Sequence, residues 1–377
     1  MILFSSLTIL SVLLAVGIGI RTMLQNDYKI LANLRGGTEA FYISVAGIEW
    51  SKNEIGRMLI IPPAPENRTV NFQSGSFSVA FMSPTSVGPL AATVVVRSTG
   101  SLGPSSHILQ AQLTKTYDLA DAALSLRGNA ATVNLGSSPI VISGADYDPA
   151  TGNAVAGAKP RSAISTSDDS LRGLVQQALG NAPQAILDSA SAGPGLATSG
   201  YLPATSVTQM VNDLCASAAA VVTIVPSSGA LLIFENQIWG TPSSPALRCF
   251  EGLAASGDAI TMAGNITGAG ILIVRNADLV LAGSYRWEGL IIIAGGEVGL
   301  RVSGPSDKEM IGGVILNETG SPTSAKAILD IQGNLRLRFS RKTLARSAGF
   351  MSTATLEQIA SALPFVISQN YWRTVTP

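Results

Sequence analysis

The stretch from Met1 to Ile61 constrains this chain most, because it contains no proline and keeps an apolar face throughout. Apolar residues recur at steps of mostly three, four or seven, as at Leu24, Tyr28 and Leu31 and onward to Leu59, the spacing of one face of a single helix. At about 1.5 Å per residue such a helix would be about 90 Å long. Helices in globular domains average about three turns, so the stretch predicts a membrane anchor and assembly stalk.

The helix begins with an uncharged apolar run, residues 2–20, which Arg21 closes. A run of this length is at the short end of what spans a bilayer. It has no charged region before it and no clear small-residue cleavage site after it, which disfavours a removable signal peptide. The side chains expected in the membrane, or in the core of an assembly, are Leu3, Leu7, Leu10, Leu13, Leu14 and Ile18.

The charge composition excludes several classes of partner. The chain has 24 basic and 24 acidic residues, so no overall field recruits nucleic acid. Aromatic residues make up 6% and do not alternate with basic ones, which argues against a stacking platform for single strands. Charged residues are only 13%, and 38 glycines are typical of an exported, β-rich protein with tight turns.

Few residues are available for metal or redox chemistry. Cys215 and Cys249 do not form a CxxC motif, and His107 stands at a predicted strand end. An exported domain could join the two cysteines in a disulfide worth roughly 3 to 4 kcal/mol on the chain-entropy model, and two separate buried thiols fit equally well. No nucleophile elbow, P-loop or zinc motif occurs, so we expect no catalytic residue, no cofactor and no metal.

The residues after the helix predict two kinds of β structure. Prolines at 62, 63 and 65 end the helix, and alternating runs at 75–81, 92–98 and 107–113 predict a small antiparallel meander over residues 62–117. Residues 118–256 are less regular, with short strands and helices, and are interpreted as a mixed connecting region. In the helix itself, Gly36 and Gly37 predict a bend or an unwound turn, at about 1 kcal/mol each relative to alanine.

Glycines recur at nearly constant intervals in residues 257–340. One series runs through Gly264, Gly283 and Gly304, and a second runs through Gly270, Gly289 and Gly313. Two strands per repeat of about twenty residues predict coils that stack, each completing the core of its neighbour. The fold class predicted is therefore α+β: a long N-terminal helix, a small antiparallel meander, a C-terminal parallel β-helix or β-roll, and a cap over residues 341–377.

Two groups of acidic residues are candidates for a catalytic site and a calcium site. Asp278 and Glu297 lie about one predicted repeat apart and could stack on adjacent coils at about 5 Å, the separation used by retaining glycosidases, although solvated turn carboxylates are the simpler interpretation. The cluster Asp146, Asp148 and Asn153 lacks the spacing and closing glutamate of a calcium loop, so an Asx turn is favoured.

One block of the helix carries a family resemblance. Residues 30–35, ILANLR, and residues 39–49, EAFYISVAGIE, follow the apolar run and its basic residue at fixed distances. This arrangement resembles the N-terminal signature of PilX-like minor pilins, and the glycine-bounded repeats resemble the β-helical region of large members of that family. The matching positions are Leu31, Asn33, Leu34, Arg35, Glu39, Phe41, Gly47 and Glu49.

The resemblance implies a non-enzymatic minor pilin of a type IV pilus. Its helix would sit in the bacterial inner membrane with a periplasmic domain, then pack against other pilin subunits in a surface pilus. Such subunits prime assembly and support adhesion or aggregation, here from the tip, with a surface or glycan ligand as a further partner. Two alternatives stay open: a K-type tip pseudopilin of type II secretion, and a membrane-tethered β-helix that binds or cleaves carbohydrate.

Overall fold

The computed structural model describes residues 2–57, 66–72, 75–82, 85–88, 90–128, 132–182, 185–188, 195–225, 229–253, 258–320 and 327–375. The prolines predicted to end the first helix and the side chain of Leu3 lie outside what is described. The chain divides into two compact units. The first comprises Met1–Val87, Ala91–Lys115 and Ile367–Pro377, and the second comprises Gly88–Leu90 and Thr116–Val366.

Five helices and 24 strands are formed within the described ranges. The helices are α1 (Ile2–Arg57), α2 (Asp169–Gly180), α3 (Ala204–Ala216), α4 (Arg341–Ser347) and α5 (Thr353–Ile359). The strands are β1 (Glu66–Asn71), β2 (Ser76–Phe81), β3 (Thr85–Gly88), β4 (Ala91–Leu102), β5 (Ser105–Tyr117), β6 (Ala122–Gly128), β7 (Thr132–Leu135), β8 (Ile140–Ser143), β9 (Ser162–Thr166), β10 (Ala185–Asp188), β11 (Leu196–Thr198), β12 (Ala220–Ile224), β13 (Leu231–Glu235), β14 (Ile238–Trp239), β15 (Ala246–Glu251), β16 (Ala259–Ala263), β17 (Asn265–Arg275), β18 (Asp278–Leu281), β19 (Ser284–Gly295), β20 (Leu300–Val302), β21 (Lys308–Glu318), β22 (Ala327–Ile331), β23 (Leu335–Phe339) and β24 (Phe365–Val375). The α+β class is confirmed.

Helix α1 runs without interruption through Gly36 and Gly37, so the unwound turn predicted there is wrong. The glycine at 36 serves a close approach instead, because a Cβ there would come within 2.6 Å of the Ser105 hydroxyl oxygen. The small residue lets the turn between β4 and β5 lie against the helix, and the helical hydrogen bonds of this segment are retained.

The first unit packs α1 on a sheet of order β1-β2-β4-β5-β24, with β3 beside β4. Strands β1 and β2, and β2 and β4, pair antiparallel. The apolar side chains buried between helix and sheet form one cluster, which includes Ile48, Ile55, Phe77, Val79, Phe81, Val94, Val96, Leu109, Ala111 and Leu113. Alternation of buried and half-buried residues along β2 fits a strand with one face on this core.

The C-terminal tail has a different place from the one predicted. Residues 341–377 were expected to cap the coil, but β24 lies beside β5 at the edge of the first unit's sheet. An extended tail satisfies the backbone groups that the outer edge of β5 would otherwise expose. Only the segment before it, with α4 and α5, remains with the second unit.

The second unit is built on two sheets of mainly parallel strands, which we call the parallel stack. Their orders are β10-β8-β23-β21-β19-β17-β15-β12 and β13-β16-β18-β20-β22-β7. From β16 to β23 the chain alternates between the two sheets, and each strand pairs in parallel with the next strand but one, as Asn265 does with Ser284 and Ala259 with Asp278. Side chains from both sheets fill one core, among them Leu279, Ile292, Leu300, Ile315 and Leu337.

A column of glycines marks the register of the stack. Gly270 pairs with Gly289 as the predicted repeat requires, but Gly289 pairs with Gly312, not Gly313. These three glycines have φ of +121°, +145° and +145°, a region that residues with a Cβ rarely adopt. The repeat lengthens because the turns before β20 and β21 are both longer, and a glycine pattern alone does not distinguish two adjacent glycines.

Residues 118–256 are part of the same stack. Strands β6, β8, β12 and β15 join the first sheet and β7 and β13 join the second, so the boundary predicted at 256/257 does not separate compact units. These short strands join the sheets by hydrogen bonding to neighbouring strand edges. Their own periodicity contributes little, so their sequence patterns are weak. Helix α3 is joined to β15 by a disulfide between Cys215 and Cys249, whose Cα atoms are 5.8 Å apart.

Candidate functional site

The N-terminal half of α1 presents apolar side chains in every direction. Every described side chain from Leu7 to Arg35 is exposed. The exposed fractions are similar around the helix: Leu7 62%, Leu10 63%, Leu13 63%, Leu14 65% and Ile18 60%. An apolar surface of this extent on all sides of a helix is not explained by packing within the chain.

One polar side chain just after the apolar run is satisfied within the helix. The Thr22 hydroxyl donates to the Ile18 carbonyl oxygen at 2.5 Å, which leaves no free donor on that side chain. An α-helix also pairs its backbone groups internally, the condition for entering a medium without water. Within the described residues, one helix is long and apolar enough to cross a membrane, and it is this one. We call residues 7–20 of this helix the exposed apolar segment.

The residues of the resemblance are divided between two environments. Leu31, Asn33 and Leu34 are exposed and lie beyond the apolar segment. Arg35 donates through Nε to Glu39 Oε1 at 2.8 Å, an exposed pair one helical turn apart. Because the partners remain in water, the pair contributes little to stability.

Further along α1, the signature residues contact the sheet. Phe41 packs edge-on against His107, with ring centroids 5.1 Å apart, and lies 6.2 Å from the ring of Trp372. Gly47 is buried where any Cβ would clash with the Ser98 hydroxyl and lie 3.2 Å from the Phe77 ring. These positions therefore set how closely the helix approaches the sheet.

Glu49 points away from the core and pairs with Lys52 at 2.5 Å. It also lines a groove of about 370 Å³ formed by α1, β5 and β24. The other lining residues are Phe41, Tyr42, Val45, Ile48, Leu109, Gln369 and Trp372. Sequence reasoning missed Trp372, because its only signal was an aromatic residue in an exposed tail.

Lys115 closes the C-terminal end of α1. Its buried Nζ donates to the carbonyl oxygens of Ile55 at 2.9 Å and Gly56 at 3.2 Å. A cation at this end complements the helix dipole. Burial nevertheless disfavours the charged form and lowers the pKa of Lys115 to about 8. The C-terminal end of α1 is thus held to its sheet by Lys115, a titratable side chain.

The acidic pair considered for catalysis is not brought together. The register pairs Leu279 with Leu300, which places Asp278 opposite Gly299 and not opposite Glu297. The buried carboxylate of Asp278 forms an ion pair with Arg301 at 2.9 Å, and Glu297 lies in a turn with φ of +56°. The stacking considered as an alternative does not occur, because this turn is longer than the repeat allows. The favoured interpretation, a solvated turn carboxylate, is also wrong for Asp278, which is buried.

The other acidic cluster forms a turn. Asp148 Oδ1 accepts from the backbone N–H of Ala150 at 3.0 Å, which is the predicted Asx turn. This hydrogen bond, with help from Lys342, lowers the pKa of Asp148. Asp146 instead receives the backbone N–H of Arg341 at 2.9 Å, so both carboxylates are occupied by protein groups.

A buried polar network, which the sequence did not indicate, lies under β6. Arg127 donates to Asp121 at 2.6 Å, to Ser165 at 2.9 Å and to the Leu202 carbonyl at 3.0 Å. Burial lowers the pKa of Arg127, and Asp121 opposes that effect. Because each partner is internal to the second unit, the network has a structural role in joining the strands to the α3 segment.

No protein-family model matches the chain, and no curated protein sequence matches it. Among solved structures, the chain is similar to the competence-associated pilin ComZ from Thermus thermophilus. The match has 11% sequence identity and a TM-score of 0.24, and covers 90% of this chain and 98% of that one. At that identity and TM-score, the similarity does not establish a shared fold or function.

Proposed function

We propose that this chain is a non-enzymatic, pilin-like subunit. Its helix α1 inserts first into the bacterial inner membrane and then into a type IV pilus among other pilin helices. The observation that carries the proposal is the exposed apolar segment, residues 7–20, on a helix whose second half packs into a folded head. One helix thus combines a surface that needs a non-aqueous partner with a surface that already has one.

The sequence resemblance to PilX-like minor pilins supports the same function. The resemblance extends over the apolar run, Arg21 and the block at 30–49. Arg21 and Asp27 are the first charged residues after the run, which suits the end of a membrane-spanning segment near the interface. In this proposal residues after the segment lie in the periplasm before assembly and on the pilus surface afterwards.

We also propose that the parallel stack is a short β-helix and that the subunit acts at the pilus tip, in assembly and in adhesion or aggregation. The parallel pairing of alternate strands, in repeats of about twenty residues, supports the β-helix. A second unit of this size, residues 116–366, suits an end position better than stacking along a shaft.

A Leu13→Lys substitution in the full-length chain tests the proposal. Leu13 is in the middle of the apolar segment, and a lysine at the centre of a spanning helix costs about 2.5 to 3.5 kcal/mol, roughly a hundredfold in insertion. Ala46→Lys is the matched control, because Ala46 is exposed on the other half of the same helix. The measurements are the amount of subunit in the inner-membrane fraction and in sheared pili.

We expect the parent chain and the Ala46→Lys variant in both fractions, and the Leu13→Lys variant in neither. A parent chain that is missing from sheared pili would contradict the proposal. If enzyme secretion, not piliation, were then lost on deletion, the type II secretion alternative would replace it. Equal fractionation of both variants would show that the segment does not insert.

A further inference from the structure

One end of the parallel stack terminates in strands β12 and β13, with the two-residue strand β14 beside them on β17. Strand β12 is the last strand of the first sheet and β13 is the last of the second. In the described part of the chain, β12 pairs with β15 and β13 pairs with β16, and the topology places no strand beyond either. Both strands have five residues, so the two sheets end in strands of equal length.

The interior of the stack at this end is filled. Phe234, Trp239 and Phe250 form an aromatic cluster with ring centroids 5.0 to 5.5 Å apart. Trp239 and Phe250 are buried. The end is therefore a well-packed surface and not an opening that a ligand could enter, and no strand of the described ranges pairs with the outer backbone edges of β12 and β13.

The side chains at this end are apolar and exposed. The exposed fractions are Val221 49%, Val222 45%, Ile224 61%, Leu231 55%, Ile233 54% and Ile238 75%. Strand β12 contains no charged residue, and β13 contains only Glu235, at its last position. Natural edge strands often carry lysine or proline that prevents pairing, and β12 and β13 contain neither, so Glu235 is the one charge on the two strands.

The opposite end of the second sheet is covered. Its last strand, β7, lies against helix α2, whose Leu171, Val175 and Ala178 are buried. The Asp168 side chain caps α2 by accepting from the Leu171 N–H at 2.9 Å. Because α2 occupies the β7 end of the second sheet, a contact between copies that uses β13 together with β12 brings like ends together.

We propose that the end face formed by β12 and β13 is a contact between two copies of this chain, related by a two-fold axis. An occupant must cover two edges at once, and the same end of a second copy presents two strands at the same spacing. Antiparallel pairing about the two-fold sets Val222 and Ile233 opposite their own counterparts. It also sets Glu235 opposite Leu231, so the two glutamates lie about 14 Å apart at opposite ends of the pair.

The size of the surface indicates a weak contact. Two five-residue strands about 17 Å long, on sheets about 10 Å apart, offer roughly a few hundred Å² per partner. Stable complexes bury about 800 Å² per partner. The contact should therefore form reversibly at high local concentration, as when several copies share one membrane. It goes beyond the pilin-like function, because the contact and the pilin-like function can each be true without the other.

A disulfide trap tests this contact in the full-length chain in detergent micelles. We use Ile233→Cys, because its strand neighbour is Thr261 and the native disulfide is on the other sheet. The two-fold brings the introduced thiol within about 5 Å Cβ–Cβ of its counterpart. The matched control is Val155→Cys, at a site of the same unit that is 45% exposed. Under mild oxidation we expect a reducible dimer from the first variant and monomer from the second.

Sedimentation over a range of protein concentrations gives the second readout. The parent chain and a Val155→Lys variant should show a concentration-dependent dimer, and Ile233→Lys should abolish it, with thermal unfolding unchanged because both side chains are exposed. Equal cross-linking of the two cysteine variants would overturn the proposal. So would a parent chain that is monomeric at every concentration, or a dimer that Ile233→Lys leaves intact, since the contact would then lie outside the end face formed by β12 and β13.

Discussion

The two halves of helix α1 belong to one continuous helix but lie in different environments. From Leu7 to Arg35 each described side chain is exposed, whereas Ala40, Ser44, Gly47, Ile48, Ser51 and Ile55 form a buried stripe. The stripe follows steps of three and four and faces the antiparallel sheet. Apolar periodicity alone therefore does not show whether the apolar face of a helix packs against its own chain or against another molecule.

The two halves of α1 should also contribute to different free energies, one to unfolding and the other to partitioning out of water. Side chains in the buried half are already removed from water in the monomer, so truncating them should change the free energy of unfolding. Side chains in the exposed half are removed from water only by a bilayer or by other subunits. Truncating those should change partitioning and leave unfolding unaltered.

The largest expected difference is between Ile55→Ala and Leu13→Ala. Ile55 is completely buried, so its truncation should cost about 2 to 5 kcal/mol in unfolding of the first unit. Leu13 is 63% exposed, and its truncation should leave unfolding unchanged. Hydrogen exchange of strands β2 and β4 in urea measures the first unit specifically. Equal losses for both variants would mean that the two halves are not energetically distinct.

A smaller difference, of opposite sign, is expected between two glycines of the same helix. At Gly17 a Cβ meets nothing within 4 Å, so Gly17→Ala should stabilise the helix by up to about 1 kcal/mol. At Gly47 the added methyl group clashes with Ser98, and Gly47→Ala should cost about 1 to 3 kcal/mol. Thermal unfolding in detergent measures both. Stabilisation by both variants would show that the helix can move away from the sheet.

The free energy of unfolding should depend on pH through Lys115, which joins the end of α1 to its sheet. The pKa of Lys115 is lowered to about 8 in the folded chain from 10.5, so between these values the unfolded chain binds more protons. Unfolding free energy should therefore rise with pH from about 8 towards 10.5, and only part of the rise falls below pH 9. The Lys115→Met variant should lack this rise, and a parallel pH profile in the variant would assign the effect to another group.

The smallest effect is expected from Arg35→Ala. The side chains of Arg35 and Glu39 are 83% and 44% exposed, and water screens their ion pair. We expect no measurable change in unfolding, with Glu39→Ala as the reciprocal variant. A clear loss of stability in either would show that this exposed turn of the helix is packed more tightly than its exposure indicates.

The strands with strong local signals were predicted well. The runs at 75–81, 92–98 and 107–113 correspond to β2, β4 and β5, because alternation is a local property of a half-buried strand. Strand β24 was missed, since its residues are mostly exposed and carry no alternation of burial. Its pairing with β5 depends on an edge that is formed by residues far away in the chain.

The candidate sites show the same limit. The spacing of Asp278 and Glu297 suggested adjacent carboxylates, but two additional residues in one turn move them out of register. The pairing of Gly289 with Gly312 and not Gly313 is a one-residue difference that arises because the two glycines are adjacent in the sequence. Local spacing cannot predict such shifts, because the length of each turn is decided by how neighbouring strands align.

The sequence by itself determined the long helix, its apolar first third and the glycine-bounded repeats, because these follow from periodicity within a few turns of chain. The tertiary structure decided which part of the helix is buried, that Cys215 meets Cys249, and where the tail pairs. These depend on contacts between residues far apart in the chain, whose entropic cost and packing no local pattern records. The exposed apolar segment of α1 is visible as such only once the rest of the chain has folded without covering it.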